Sequence, residues 1–285
     1  MINEIKRFIL KTSILILSLI FILVFLFMFR FISTKSISWK LPSNKNVLFM
    51  GASHIQRGID PKYYPSASNL AAASERYLFT YLKVKKIVKE NSQIDTLFLQ
   101  FAPTDIQKNT DSKYYSKNEM SRFLPLYFPF LSSEDWEIYA NNKSDALNLL
   151  VQKVFRNIPH NLSDYGRYKP NTGFFERKKE PYIMPKWSES GNAVNYRYLN
   201  KIIQICKEKK IKLIFLYMPM YSKELFYDTN YFYNIYKNKY SDILFLDYSD
   251  WDCPDNFRND EHHLNSAGAI SFTKKLKSDL ANKIQ

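Results

Sequence analysis

Val47-Leu48-Phe49-Met50-Gly51-Ala52-Ser53-His54 is an apolar run that stops on a glycine and a serine. Consecutive large apolar residues suit a strand buried on both faces, as in parallel sheets. A strand that breaks at Gly51-Ala52-Ser53 can present a hydroxyl at the carboxyl edge of the sheet, where open α/β folds hold their ligands. Further strands are expected at Ser68–Ala71, Ile94–Phe101, Lys212–Tyr217 and Ile243–Asp247. Helices are expected over about Ser74–Glu90, Asn195–Lys209 and Ser266–Ile284, the last with an apolar stripe of Ala269, Ile270, Phe272, Leu276 and Leu280. Strands alternating with helices predict a parallel sheet covered on both faces. Residues of about 106–191 break that rhythm with many aromatics and with Pro125, Pro129, Pro159, Pro170, Pro181 and Pro185. They are expected to form a large insertion over the carboxyl edge, holding one helix from Ser133 to Phe155.

Thr12 to Phe29 is an uncharged run of 18 residues between Lys11 and Arg30. At about 1.5 Å per residue it reaches roughly 27 Å, close to the thickness of a bilayer core. The expected organisation is an N-terminal membrane anchor over 1–33 (helix about 12–29), a linker over 34–45 and an α/β domain over 46–285. Lys6, Arg7 and Lys11 precede the apolar run, which favours a cytoplasmic amino terminus and an extracytoplasmic domain. Phe29-Arg30-Phe31-Ile32 is a poor context for signal cleavage, so the anchor is expected to stay.

The net charge of +14 suits an anionic partner. The lysines are scattered, and runs such as Lys83-Val84-Lys85-Lys86 look like solvated helix faces, so no nucleic acid is expected. A membrane surface or an anionic glycan fits better. Cys206 and Cys253 allow one disulfide in an oxidising compartment, while a buried free thiol accounts for Cys206 equally well. Neither cysteine has metal-ligand spacing around it, and no metal or other cofactor is expected.

A serine hydroxyl becomes a nucleophile when a base takes its proton and a third group orients that base. The second chemical segment, Asp260-Glu261-His262-His263-Leu264-Asn265, lies more than 200 residues after Ser53. Asp260 and His263 can supply orienter and base from one turn. With Ser53 they read as a serine esterase or acyl-transfer site.

Gly51-Ala52-Ser53 after a first strand, with Asp260-x-x-His263 before a last helix, resembles the SGNH (GDSL-type) hydrolase superfamily. The phrase from Asp260 to Ala269 is similar to the D-x-x-H-L-N-x-x-G-A signature of anchored members found with cell-envelope and exopolysaccharide acylation systems. The resemblance covers roughly residues 46–105 and 195–282. It implies a flavodoxin-like three-layer α/β/α sandwich, with Ser53 as nucleophile, His263 as base and Asp260 as its orienter. It also implies an O-acylated extracytoplasmic polysaccharide as substrate, at a bacterial-type cell membrane, beside a membrane-bound acyltransferase.

The chain departs from the family pattern in three places. Ala52 stands where the family has Asp, which removes no catalytic group. The segment Asn69-Leu70-Ala71-Ala72-Ala73-Ser74 lacks the glycine whose N–H helps hold the oxyanion, leaving Ala71 or Ala72 to serve; Ala72 is the expected donor, beside the Ser53 N–H. Thr104 stands where an oxyanion-binding Asn is expected. These departures motivate an alternative of another class, a catalytically silent anchored scaffold that binds glycan or partners an acyltransferase. His262 is expected as a wall of the site. His54 is expected either at the substrate or in a polar slot.

Overall fold

Alternate residues of the central strands part to opposite faces, as the period of two in a strand requires. Leu48 and Met50 enter one core with Leu97, Leu99, Phe215 and Tyr217, whereas Val47 and Phe49 enter a second with Phe98, Ile214 and Leu216. The computed structural model describes residues 2–106, 110–153, 158–175, 193–221 and 229–283. Its strands are β1 (Val47–Met50), β2 (Ala67–Asn69), β3 (Thr96–Gln100), β4 (Lys212–Tyr217) and β5 (Leu244–Asp247). They form one sheet in the order β2-β1-β3-β4-β5, and every pairing is parallel. This is the doubly wound order in which the sheet reverses direction of growth between β1 and β3.

In chain order the helices are α1 (Ile2–Lys35), α2 (Ser53–Gly58), α3 (Tyr77–Glu90), α4 (Pro103–Ile106), α5 (Ser112–Tyr115), α6 (Lys117–Tyr127), α7 (Ser133–Glu137), α8 (Lys143–Lys153), α9 (Ala193–Lys209), α10 (Thr229–Lys239) and α11 (Ser266–Lys283). One face of the sheet takes α3, α9 and α10 through residues such as Leu82, Ile202 and Phe232. The other takes α2 and α11 through Ile55, Phe272, Leu276 and Leu280. The result is the expected three-layer α/β/α sandwich. Cys206 lies in the first core and Cys253 in the second, and both are free thiols, so the disulfide does not form. Burial pushes the two thiols up to about 12 and about 11 respectively.

The aromatic-rich middle of the chain holds α4 to α8. The single helix expected from Ser133 is instead two. Ser132 and Asp135 close a capping box on α7, a short 3-10 turn follows at Ala140–Asn142, and α8 runs to Lys153. Tyr139, just before that turn, is 1% exposed, so burial of its ring competes with continuing a helix through Asn141 and Asn142. Phe155, Arg177, Lys178, Lys179, Pro181, Pro185 and Trp187 lie outside the described residues.

The helix α1 is long and apolar enough to cross a membrane, and its large apolar residues from Phe8 to Phe29 are exposed. It continues beyond the apolar run, and its end docks on the domain. Phe27 and Phe31 pack on Phe128 at ring separations of 5.3 and 6.0 Å, and Arg30 Nη2 donates to the Pro125 carbonyl at 3.2 Å. The following residues continue this packing. Trp39 is 1% exposed, its ring lies 4.6 Å from that of Tyr165, and its backbone N–H donates to Glu90 Oε2 at 2.9 Å.

Candidate active site

Ser53 opens α2 immediately after β1, through a turn that needs glycine. Gly51 has φ +147°, and a Cβ there would collide with the Cβ of Gln100 on the neighbouring strand. The turn is tied down from β3. Gln100 Oε1 accepts the Ala52 N–H at 3.1 Å, while Gln100 Nε2 donates to Asp105 Oδ1 at 3.0 Å. Asp105 Oδ2 also accepts the Ala102 N–H at 2.9 Å. Asp105 is 6% exposed, and burial pushes its carboxyl up to about 6 against the pull of Arg76 and these hydrogen bonds.

The opposite side of the site is the loop before α11. Asn265 caps that helix by accepting the Gly268 N–H at 3.0 Å, and its amide donates to the carbonyls of Asn256 at 2.8 Å and Arg258 at 3.2 Å. Leu264 is buried at 3% exposure in the α2–α11 core. Between these fixed points His263 Nδ1 meets Asp260 at 2.8 Å to Oδ1 and 3.0 Å to Oδ2. His263 Nε2 lies 2.8 Å from Ser53 Oγ. Asp260 also accepts the His262 N–H at 2.9 Å and the Asn259 amide at 2.8 Å. Burial would raise the Asp260 carboxyl, but His263, the His262 N–H and Asn259 together hold it well below the usual carboxylate range.

The remaining sequence-selected residues are placed as follows. His54 is 8% exposed, with its ring 5.2 Å from that of His263 and 6.3 Å from that of His262. Its Nδ1 is buried without a hydrogen-bond partner among the described residues, and burial, then His263 and His262, lowers its pKa well below the usual histidine value. The structure thus places the His54 ring beside both His262 and His263. His262 is partly exposed beside the triad, with its pKa lowered first by burial and then by His263. Thr104 sits partly exposed on α4, directly after β3.

Ala72 requires a correction. Its N–H donates to the Gly51 carbonyl at 3.1 Å, and the Leu70 N–H to Phe49 at 3.0 Å, which carries the β1–β2 ladder past the end of β2. A committed N–H is not an oxyanion donor. The Ala71 N–H goes to Asn69 and the Ala73 N–H to Gln56, both at 3.1 Å. From Ala71 to Glu75, the N–H of Ser74 alone has no acceptor among the described residues, and Ser74 takes φ 61°, a conformation that glycine adopts more readily. The Ser53 N–H, at the first position of α2, likewise has no acceptor among the described residues.

Two features of the site escaped the sequence. Gln100 falls inside the expected strand Ile94–Phe101 with no role assigned to it, although its position before the carboxyl edge is a usable signal. Lys83 read as solvent-facing, but its Nζ forms an ion pair with Glu75 at 2.8 Å with both side chains fully buried. It also donates to the carbonyls of Leu70 and Tyr165, joining the end of β2 to the aromatic-rich insertion. Among the described residues no three His, Cys, Asp or Glu side chains are placed to hold a metal ion.

No family model matches this chain, and no curated protein sequence matches it. Solved structures that are similar include the following three. A GDSL-like lipase from Bacteroides thetaiotaomicron shares 9% identity over 88% of this chain and 95% of its own, with a TM-score of 0.41. A protein designated an acylhydrolase from Bacteroides fragilis shares 11% over 88% and 93%, with a TM-score of 0.43. A protein designated a platelet activating factor from Streptococcus pneumoniae shares 13% over 95% and 98%, with a TM-score of 0.43. Identities and scores this low add nothing to what the sheet order and the Ser53 geometry establish.

Proposed function

We propose that the chain is an SGNH-type serine esterase or O-acyltransferase, acting on ester-linked acyl groups, acetyl foremost, of an extracytoplasmic polysaccharide. The observation that supports it is the 2.8 Å approach of His263 Nε2 to Ser53 Oγ, with Asp260 on the other ring nitrogen at 2.8 Å. In this reading His263 takes the Ser53 proton as Oγ attacks the ester carbonyl. The Ser53 N–H, and the Ser74 N–H or Thr104 hydroxyl, donate to the oxyanion. His263 returns the proton to the departing sugar oxygen, leaving an acyl group on Ser53. Water, or a sugar hydroxyl, then loses its proton to His263 as it attacks that acyl group, and the Ser53 hydroxyl is restored. Asp260 keeps Nδ1–H oriented and stabilises the imidazolium. The helix α1 would hold the domain at the membrane surface, its amino terminus cytoplasmic, beside a membrane-bound acyltransferase.

The alternative, a silent scaffold that binds glycan, draws its support from the commitment of the Ala72 N–H to Gly51. Loss of one oxyanion donor costs about 2.7–4 kcal/mol in the barrier. The full chain in detergent micelles, assayed on p-nitrophenyl acetate, separates the two. Turnover abolished by Ser53→Ala is expected; turnover equal in the two proteins favours the scaffold.

A further inference from the structure

A second concavity lies beside α2. Residues 163–169 run along the carboxyl edge and leave a cleft of about 150 Å³ over Gln56 and Ala72. The chain there is pressed close to the sheet end. The Lys169 N–H donates to the Gln56 carbonyl at 3.1 Å, and a Cβ on Gly166 would collide with the Leu70 carbonyl oxygen. Gln56 follows Ser53 by three positions on α2, a spacing of roughly 5–6 Å between Cβ atoms on a helix. The cleft floor thus starts one helical step from the candidate nucleophile.

Its charge is one-sided. Arg122, Arg167 and Lys169 line the cleft, and none of them forms an ion pair among the described residues. The one carboxylate in the lining, Asp164, is engaged by the N–H groups of His160 at 2.7 Å and Asn161 at 3.2 Å. Glu75, which feels the Arg122 charge, is fully buried and held by Lys83 at 2.8 Å and Thr80 at 2.7 Å. Three cations around one concavity repel one another and lower the cost of bringing in an anion. Two are arginines, whose planar forks match carboxylate and phosphate oxygens.

We propose that this cleft binds an anionic group, a carboxylate or a phosphate, carried by the polymer next to the ester that Ser53 attacks. The proposal rests on the Ser53 reading above and names the substrate class within it: an acidic glycan rather than a neutral one. Tethering a neighbouring anion positions the ester for attack without contributing to bond making, so its effect belongs in KM.

The experiment uses the full chain in detergent micelles with three acetylated probes. These are an acetylated oligogalacturonate, an acetylated glycerol-phosphate oligomer and an acetylated xylo-oligosaccharide, the last neutral. The ratio of kcat/KM on an anionic probe to that on the neutral probe should fall about tenfold in Arg122→Ala and in Arg167→Ala, through KM. Arg167→Lys should recover part of it, and Lys209→Ala, on α9, should keep the parent ratio. The anionic probe that shows this dependence identifies the group as carboxylate or phosphate. In Ser53→Ala, equilibrium binding of the deacetylated form of that probe should persist and weaken about tenfold on adding Arg167→Ala. Ratios that stay within twofold of the parent for both anionic probes overturn the subsite, while loss of turnover in Ser53→Ala leaves the triad reading standing. Turnover that survives Ser53→Ala overturns the triad reading instead, and the binding measurement then still decides the cleft.

Discussion

Gln100 Oε1 accepts the Ala52 N–H at 3.1 Å, so the residue before the candidate nucleophile is held by the neighbouring strand rather than by its own turn. Gln100→Leu removes that acceptor and also strips Asp105 of a donor. Each buried group left unpaired costs about 1–3 kcal/mol. The expected outcome is a lower midpoint in chemical denaturation and a kcat reduced by roughly tenfold or more, as Ser53 loses its fixed approach to His263. A variant with parent kcat would show that the turn is held by Gly51 alone.

Ser53, His263 and Asp260 form one hydrogen-bonded unit, so their losses should not add. Ser53→Ala and His263→Ala are each expected to reduce turnover by roughly a thousandfold or more, nearly as far as the double variant. Asp260→Asn should cost less than His263→Ala, because the base remains. His262→Ala should act mainly on KM. Steady-state kinetics of these variants on one acetyl ester decide the assignment. A kcat lost in His262→Ala and kept in His263→Ala would move the base by one residue.

The Asp105 carboxyl titrates near 6 in the folded chain, above its ordinary value of 3.8. A raised folded pKa in an acid means that the native state binds the proton more tightly than the unfolded chain. Its stabilising contribution is complete below about pH 4 and is lost as pH rises through 6. A shift of about two units corresponds to about 3 kcal/mol. Asp105→Asn keeps the acceptor for the Ala102 N–H and does not titrate. Its stability relative to the parent should therefore climb between pH 4 and pH 7, by up to about 3 kcal/mol. Parallel pH profiles for the two proteins would refute the shift.

The end of α1 and the residues after it belong to the domain's packing. Trp39→Ala should destabilise by about 3–5 kcal/mol, the usual cost of emptying a buried indole site. A chain lacking residues 1–35 loses Phe27, Arg30 and Phe31 from Phe128 and Pro125, and should melt below one starting at residue 24. Equal melting temperatures would show that α1 contributes only as an apolar segment.

Local chemistry was legible directly. Lys212–Tyr217 was expected as a strand and is β4 with the same bounds, because an apolar run closed by Pro219 leaves little choice. Asp260 and His263 lie three apart, so their contact at 2.8 Å follows from one turn of chain. The expected helix from Ser133, by contrast, breaks at Ala140–Asn142, because tertiary burial of Tyr139 outweighs a weak local helix preference. Lys83 looked solvated for the same kind of reason: its partner Glu75 is set by packing rather than by helix spacing. The Ala72 N–H was misread because a backbone donor carries no residue code, and its commitment to Gly51 depends on how far the β1–β2 ladder extends.

The order of apolar runs and turns was enough to specify five parallel strands between helices, and it placed Ser53 and His263 at chain positions that a doubly wound sheet brings to one edge. Residue types and short-range spacing carry that information, because burial on both faces of a strand demands apolar side chains throughout. The 2.8 Å between Ser53 and His263, the Gln100 tether and the cationic cleft over Gln56 arise only when distant segments pack. Those contacts span loops whose paths depend on which buried polar groups find partners across the fold, and no local pattern encodes that choice.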